Sequence, residues 1–136
     1  MLKEMVSGEV VTIPQRNEDE LDRVLAQLTT GQIQAMEDEL NRRADLIGNT
    51  EDDFTNSSWV PGTNWQNTEF EPLYDACEGF SADQEEYAGF MFGWLMRRVM
   101  IARTDEWEMF KHHQPSEKIP RGTYYCRGNR VRRVAS

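Results

Sequence analysis

The sequence lacks the short motifs that identify most enzymes. It contains no phosphate-binding loop, no dinucleotide-binding turn, no zinc-protease HExxH and no serine-hydrolase GxSxG. Carboxylates are so numerous that two will lie close together by chance, and their presence alone does not indicate acid–base catalysis. We therefore expect no catalytic residues and a non-enzymatic function. A small enzyme whose site carries no known motif is the third of three hypotheses.

Cysteine and histidine are also scarce. The two cysteines, Cys77 and Cys126, form no CxxC pair and match no zinc-finger spacing. Glu108 and His112 lie four residues apart on a predicted helix, but no second pair has the spacing that would complete a metal site. We expect no metal and no cofactor. Because the first residues do not resemble a secretory leader, we expect reduced thiols and a cytoplasmic location.

Long apolar runs are absent too. The most apolar stretch, residues 87–101, is shorter than the roughly 20 residues that a membrane span requires, and Arg97 and Arg98 interrupt it. We therefore expect no contact with a membrane. A chain of 136 residues with 38% hydrophobic and 29% charged residues is typical of a folded protein, and its length predicts a single domain, residues 1–136.

Positive charge is scarce in the first two thirds of the chain. The formal net charge is −9, and residues 1–96 contain 20 acidic but only 5 basic side chains. Residues 97–136 reverse the balance, with 4 acidic and 10 basic side chains. This asymmetry indicates either that the two parts attract each other or that one of them meets a charged partner.

The strongest structural signal is the stretch Ser81–Arg103, which predicts a central α-helix from about residue 82 to 103. Ser81 and Gln84 have the spacing of a capping box. Acidic residues follow in the first turn and arginines near the end, as the helix dipole favours. The side chains between them are apolar on almost every side, so we expect this helix to be covered by the rest of the fold.

Weaker signals predict the other elements. Apolar spacing indicates helices over residues 18–28 and 32–46, joined as an αα-hairpin, and shorter helices over 71–78 and 105–111. Strands are predicted over 9–13, 123–126 and 130–134, the last two forming a basic C-terminal hairpin over about residues 121–134. We thus predict a mostly helical α+β fold. Its helical body spans about residues 17–111, and the N-terminal strand is a candidate neighbour of the hairpin.

Two features of this plan have alternative interpretations. Trp59 and Trp65 lie in a long irregular segment, where they either hold the segment against the central helix or serve as exposed anchors for a partner. Gly89 and Gly93, one helical turn apart, indicate close packing inside the core, although the same spacing can serve a dimer. The sequence does not establish the oligomeric state.

The acidic character favours binding to a protein partner. We predict a small accessory or inhibitor protein, of the kind found in mobile elements, whose anionic surface imitates a nucleic acid. Its candidate contact residues are Glu37, Asp38, Asp45, Glu51, Asp52, Asp53, Trp59 and Trp65.

The basic C-terminal hairpin supports an alternative, in which the protein binds nucleic acid directly. Arginines would contact phosphates, and a tyrosine would stack on a base. The candidate residues for this function are Arg127, Arg130, Arg132, Arg133 and Tyr125.

Overall fold

The computed structural model describes residues 1–49, 54–56, 65–112 and 122–128, and these ranges form a mostly helical α+β fold. The helices are α1 (Gln15–Leu25), α2 (Thr30–Asp45), α3 (Glu71–Ala76) and α4 (Gln84–Ala102). The strands are β1 (Leu2–Glu4), β2 (Thr55–Asn56), β3 (Trp107–His112) and β4 (Gly122–Arg127).

Helix α4 is the central element, as predicted, and the other three helices pack against it. Its cap is Asp83 rather than Ser81: the Asp83 carboxylate accepts a hydrogen bond from the Glu86 amide at 3.1 Å. Its inner side chains are fully or almost fully buried and include Ala88, Met91, Phe92, Leu95, Met96, Val99 and Met100. One part of the helix is uncovered, because the Phe90 side chain is 59% exposed.

Helices α1 and α2 are consecutive, with residues 26–29 between them, and both pack against α4. Helix α1 begins directly after Pro14 and buries Leu21 and Val24 completely. Helix α2 begins with a capping box, in which Thr29 Oγ1 accepts from the Gln32 amide and Gln32 Oε1 accepts from the Thr29 amide. The box satisfies backbone donors that the first helical turn leaves unpaired.

The four strands form one sheet in the order β1-β3-β4-β2. Strand β1 runs parallel to β3, while β3 and β2 both run antiparallel to β4. Met109 lies opposite Tyr125 in this register, and both side chains belong to the core shared with the helices. Because side chains alternate across a sheet, the neighbouring pair Phe110 and Tyr124 lies on the other face. The pair β3–β4 differs from the predicted C-terminal hairpin, which joined residues 123–126 to residues 130–134. Residues 122–127 pair instead with β3, and β1 pairs with β3 at the edge of the sheet.

Two predicted elements are wrong. The N-terminal strand is Leu2–Glu4, not residues 9–13, and Val10 contributes only an isolated bridge to Lys3. Residues 107–112 form β3 instead of a helix, because Trp107 and Met109 are buried at a period of two while Glu108 and Phe110 between them are only partly buried. The predicted strand over residues 130–134 lies outside the described residues.

The glycine pair of α4 does not pack closely inside the core. Within the described part of the chain, a Cβ atom built on Gly89 or Gly93 would have no heavy atom of another element within 4 Å. The two residues therefore border open space beside the exposed Phe90 ring, which corrects the prediction of close core packing.

Candidate protein-interaction surface

Most arginines of the described chain form contacts within the protein. Asp105 is the centre of the largest group: its carboxylate accepts from Arg103 Nε at 3.0 Å, from Arg127 Nη1 at 2.6 Å and from Trp107 Nε1 at 2.8 Å. Arg103 and the other two donors hold the pKa of this carboxyl far below its ordinary value. Arg103 also binds Asp45 at 2.7 Å, which links the ends of α2 and α4.

Arg127, a candidate for contacting nucleic acid, faces into this group. Its Nε donates to the Ile47 carbonyl at 3.2 Å, just beyond the end of α2, and its guanidinium lies 4.4 Å from the Trp107 ring centroid. A helix C-terminus leaves carbonyl oxygens unpaired and favours a cation, so Arg127 completes the end of α2. Tyr125 is fully buried and has no ring face to offer a base. Arg130, Arg132 and Arg133 lie outside the described residues.

The remaining ion pairs neutralise three more arginines. Arg98 of α4 binds Asp22 of α1 at 2.7 Å. Arg42 and Arg43 both bind Glu39 on α2, and the hydrogen bond from Arg42 is the main reason why the pKa of the Glu39 carboxyl falls to about 2. These arginines are therefore already paired with carboxylates of the protein.

Of the acidic residues predicted to bind a partner, the structure describes Glu37, Asp38 and Asp45. Asp45 is paired with Arg103, and Asp38 accepts a hydrogen bond from Gln34 at 2.8 Å. Glu37 lies at the edge of a shallow cavity of about 410 Å³ next to Asn41 and Arg103. Glu51, Asp52, Asp53 and Trp59 lie outside the described residues.

Trp65 is in the core rather than at the surface. Its side chain is 4% exposed, stacks on Tyr74 with ring centroids 5.6 Å apart and meets the Phe92 ring edge-on at 6.3 Å. It therefore holds its part of the chain against α3 and α4, and it offers no surface to a partner.

A different exposed group forms where α1, α3 and the start of α4 meet. Tyr87 of α4 donates a hydrogen bond to Glu20 of α1 at 2.5 Å, and Gln84 donates to the Tyr74 carbonyl of α3 at 2.9 Å. Burial, followed by this contact with Glu20, raises the pKa of Tyr87 well above its ordinary value. These two hydrogen bonds join the three helices at one end of the fold.

Phe80 lies in the turn between α3 and α4. Its side chain is 40% exposed and stacks on the Tyr87 ring, with centroids 5.8 Å apart and planes 15° from parallel. We call the following residues the acidic surface: Phe80, Tyr87, the Glu20 carboxylate that Tyr87 contacts, and the exposed carboxylates near Phe80 in the chain, which are Asp75, Glu78, Asp83 and Glu85.

The acidic surface was not predicted from the sequence as a site. Asp83 and Glu85 were expected to be charges of the first helical turn, and in the structure Asp83 is the N-cap of α4 and Glu85 lies in its first turn. The one local signal is Phe80, a large apolar residue between Gly79 and Ser81 in a polar turn. The contribution of Glu20, far away in the chain, depends on tertiary contacts.

The described residues show few features of a metal-binding or catalytic site. They include no group of three or more His, Cys, Asp or Glu side chains that could hold a metal ion. Burial raises the pKa of the Cys77 thiol to about 11, which disfavours the nucleophilic thiolate. Among the helices described, none is both long and apolar enough to cross a membrane.

No known protein family, characterised protein or solved structure matches this chain. The geometry of the residues is therefore the only guide to function. An exposed aromatic ring in a segment rich in carboxylates can bind a surface that carries an apolar pocket and basic side chains, because both kinds of contact are then satisfied together.

Proposed function

We propose that this protein is a non-enzymatic interaction protein that binds a basic surface of a protein partner through the acidic surface. One observation carries the proposal: Phe80 is 40% exposed within residues 75–86, which contain five carboxylates, while Arg42, Arg43, Arg98 and Arg103 are bound to carboxylates elsewhere. The described surface therefore presents negative charge and an aromatic ring at the same place.

The two kinds of contact have separate functions. Carboxylates attract a basic partner over distances of about 10 Å or less at moderate salt, which speeds association and makes it sensitive to ionic strength. Phe80 and Tyr87 supply the apolar area that can be fully desolvated at the centre of an interface, where binding energy concentrates. We thus expect the carboxylates to control the association rate and the two rings to control the dissociation rate.

The sharper form of the proposal concerns the kind of partner. A basic surface with an apolar pocket occurs on proteins that bind DNA or RNA, and an acidic protein can occupy such a surface in place of the nucleic acid. In that form the protein is an accessory or inhibitor of a nucleic-acid-binding protein in the cytoplasm. Direct binding of nucleic acid by Arg130, Arg132 and Arg133 is the alternative that the experiment below distinguishes.

Affinity capture from nuclease-treated host lysate, at low and at moderate salt, tests the proposal. The immobilised chain is compared with Phe80→Ala and with the double variant Glu78→Lys, Glu85→Lys. A matched control, Glu9→Lys with Asp38→Lys, changes the net charge equally at exposed positions outside the acidic surface.

We expect one protein to be captured by the wild type and the control, and to bind both surface variants at least about tenfold more weakly once purified. Equal loss in the control would show that only net charge matters and would contradict the proposal. Capture of nucleic acid, when nuclease is omitted, that depends on Arg130, Arg132 and Arg133 would favour the alternative instead.

A further inference from the structure

A groove beside the acidic surface is lined by two carboxylates and, among the described residues, by no cation. It lies between α3 and the turn that joins α1 to α2, and its volume is about 540 Å³. Glu71 and Asp75 are four residues apart on α3 and therefore share one face of that helix. Asp75 is also a member of the acidic surface, so the groove extends that surface along α3.

Neither carboxylate of the groove is neutralised by an arginine of the described chain. Glu71 and Asp75 form no ion pair within it, whereas Asp22, Glu39 and Asp45 each bind an arginine. Like charges four residues apart on a helix repel each other. A cation in the groove would relieve this repulsion, and no described side chain supplies one.

The Glu71 carboxylate is held in place by the backbone of the turn before α3. Its Oε2 atom accepts a hydrogen bond from the Asn67 amide at 2.8 Å. This bond fixes one oxygen and leaves the other, Oε1, without a partner among the described residues. Because the carboxylate is already oriented, less conformational freedom is lost when a ligand binds to it.

Apolar side chains form another part of the groove. Leu28 is half-buried and packs against the core, Pro72 is half-buried, and Ala76 is buried. All three line the groove together with the carboxylates. Long basic side chains combine an apolar stem with a charged head, so a groove that offers both apolar atoms and carboxylates suits them.

We propose that this groove binds an arginine side chain of the protein partner. The guanidinium lies at Glu71 and Asp75, and the methylene stem lies along Leu28 and Ala76. This inference rests on the proposed function, and it specifies which side chain of the basic partner is recognised beside the acidic surface. The argument for the occupant is charge complementarity, since two unpaired anions converge on one groove.

Arginine fits the groove better than lysine does. A guanidinium carries five N–H donors in a planar fork, which can serve both carboxylates and the side-chain oxygen of Gln27, another residue of the lining. A lysine ammonium is a compact point charge that is more strongly hydrated. We therefore expect the groove to discriminate between the two basic side chains.

Titration of the isotope-labelled protein with N-acetylarginine methylamide, followed by nuclear magnetic resonance, tests the groove without the partner. Amide signals of residues 26–28 and 68–76 should shift and saturate with a dissociation constant in the millimolar range. The corresponding citrulline compound has nearly the same shape without the charge and should bind at least about tenfold more weakly. The corresponding lysine compound should also bind more weakly than the arginine compound.

Isosteric variants connect this binding to the groove. Glu71→Gln combined with Asp75→Asn keeps the size of both side chains, and an amide oxygen at position 71 can still accept from Asn67. This double variant should bind the arginine compound at least about tenfold more weakly. Glu69→Gln is the matched control, because Glu69 is exposed, lies outside the lining and carries the same charge. It should bind like the wild type.

Several results would overturn the proposal. One is the absence of saturable shifts in the wild type up to about 50 mM arginine compound, and another is equal binding of the citrulline compound. Equal loss in Glu69→Gln would likewise show that the groove is not the site. Free arginine that bound more tightly than the blocked compound would contradict the assignment to a protein side chain.

The captured partner separates this inference from the proposed function. The double variant should weaken its binding at least about tenfold. A partner whose binding falls with Phe80→Ala but not with the double variant would contradict the groove alone. Saturable binding of the arginine compound, with no protein captured from lysate, would contradict the proposed function alone.

Discussion

Arg127 and Trp107 are cross-strand neighbours on β4 and β3, and the guanidinium of Arg127 lies 4.4 Å from the centroid of the Trp107 ring. Arg103 contacts the same ring at 5.6 Å. Asp105 binds both cations and also accepts the indole N–H of Trp107. This arrangement joins the sheet to the C-terminal ends of α2 and α4, and it explains why Arg127 belongs to the architecture.

Replacing Asp105 with Asn should destabilise the protein by about 1–3 kcal/mol, because Arg103 and Arg127 lose their shared carboxylate. The lower part of this range is favoured since the Asp105 side chain is 35% exposed and water partly replaces the lost contacts. Urea denaturation measures the change. Asp38→Asn, which removes an exposed charge from α2, is the control and should change stability by less than about 0.5 kcal/mol.

Stability should decline in acid through Glu39 and Asp105. The hydrogen bond from Arg42 lowers the Glu39 pKa from 4.5 to about 2, and Arg103 lowers the Asp105 pKa in the same direction. The unfolded chain therefore takes up these protons at higher pH than the folded chain, so their contribution is complete above about pH 5. The contribution of these carboxylates to stability is lost as the pH falls from 4.5 toward 2.

Urea midpoints measured across this range of pH check the prediction. Asp105→Asn should show a shallower decline than the wild type, because one of the two linked protons is absent. A decline of the same steepness in both proteins would mean that Asp105 is not linked to the acid transition.

Tyr125 should make the protein sensitive to base. Its pKa is raised from 10 to about 12 by burial, so its contribution to stability is complete below pH 10 and is lost as the pH rises toward 12. Tyr125→Phe should remove this part of the pH dependence. At neutral pH the change should be small, about 1 kcal/mol or less, since the buried hydroxyl contacts Arg97 without a hydrogen bond of standard geometry.

Thermal unfolding of the wild type and Tyr125→Phe, measured at neutral pH and above pH 10, checks both the loss of stability in base and the small effect of the substitution at neutral pH. A loss of about 2 kcal/mol or more in Tyr125→Phe at neutral pH would show that the hydroxyl makes a favourable contact in solution.

Trp65→Ala should destabilise the protein by about 3–5 kcal/mol, because it leaves a cavity between Tyr74 and Phe92. Trp65→Phe keeps an aromatic ring and should cost less, especially as the indole N–H has no hydrogen-bond partner among the described residues. Urea denaturation of both variants measures the difference. A small effect of Trp65→Ala would contradict the burial of this side chain.

Sequence reasoning predicted the elements that local rules determine. The capping residues Thr29 and Gln32 specify the start of α2, and the apolar run of α4 specifies a long buried helix. It failed at β3, where Trp107 and Phe110 are spaced like a helical stripe but alternate across a sheet. In so short a segment, apolar residues three positions apart fit either a helix or a strand. Pairing with β4 determines that this segment is a strand.

The surfaces were less predictable than the elements. Helical periodicity shows that α4 has apolar side chains on most sides, but it does not show which side the sheet leaves uncovered. The open space at Gly93 and the exposed Phe90 ring were for this reason not foreseen. The acidic surface likewise depends on contacts such as Tyr87 with Glu20, which join residues distant in sequence.

We expect a protein partner to bind at Phe80 and the other residues of the acidic surface. Hydrogen exchange of the complex with the captured partner maps this contact without any substitution. Added protection is expected at the amides of residues 75–87, with no change in β3 and β4. Protection confined to the basic C-terminal segment, residues 122–136, would contradict it.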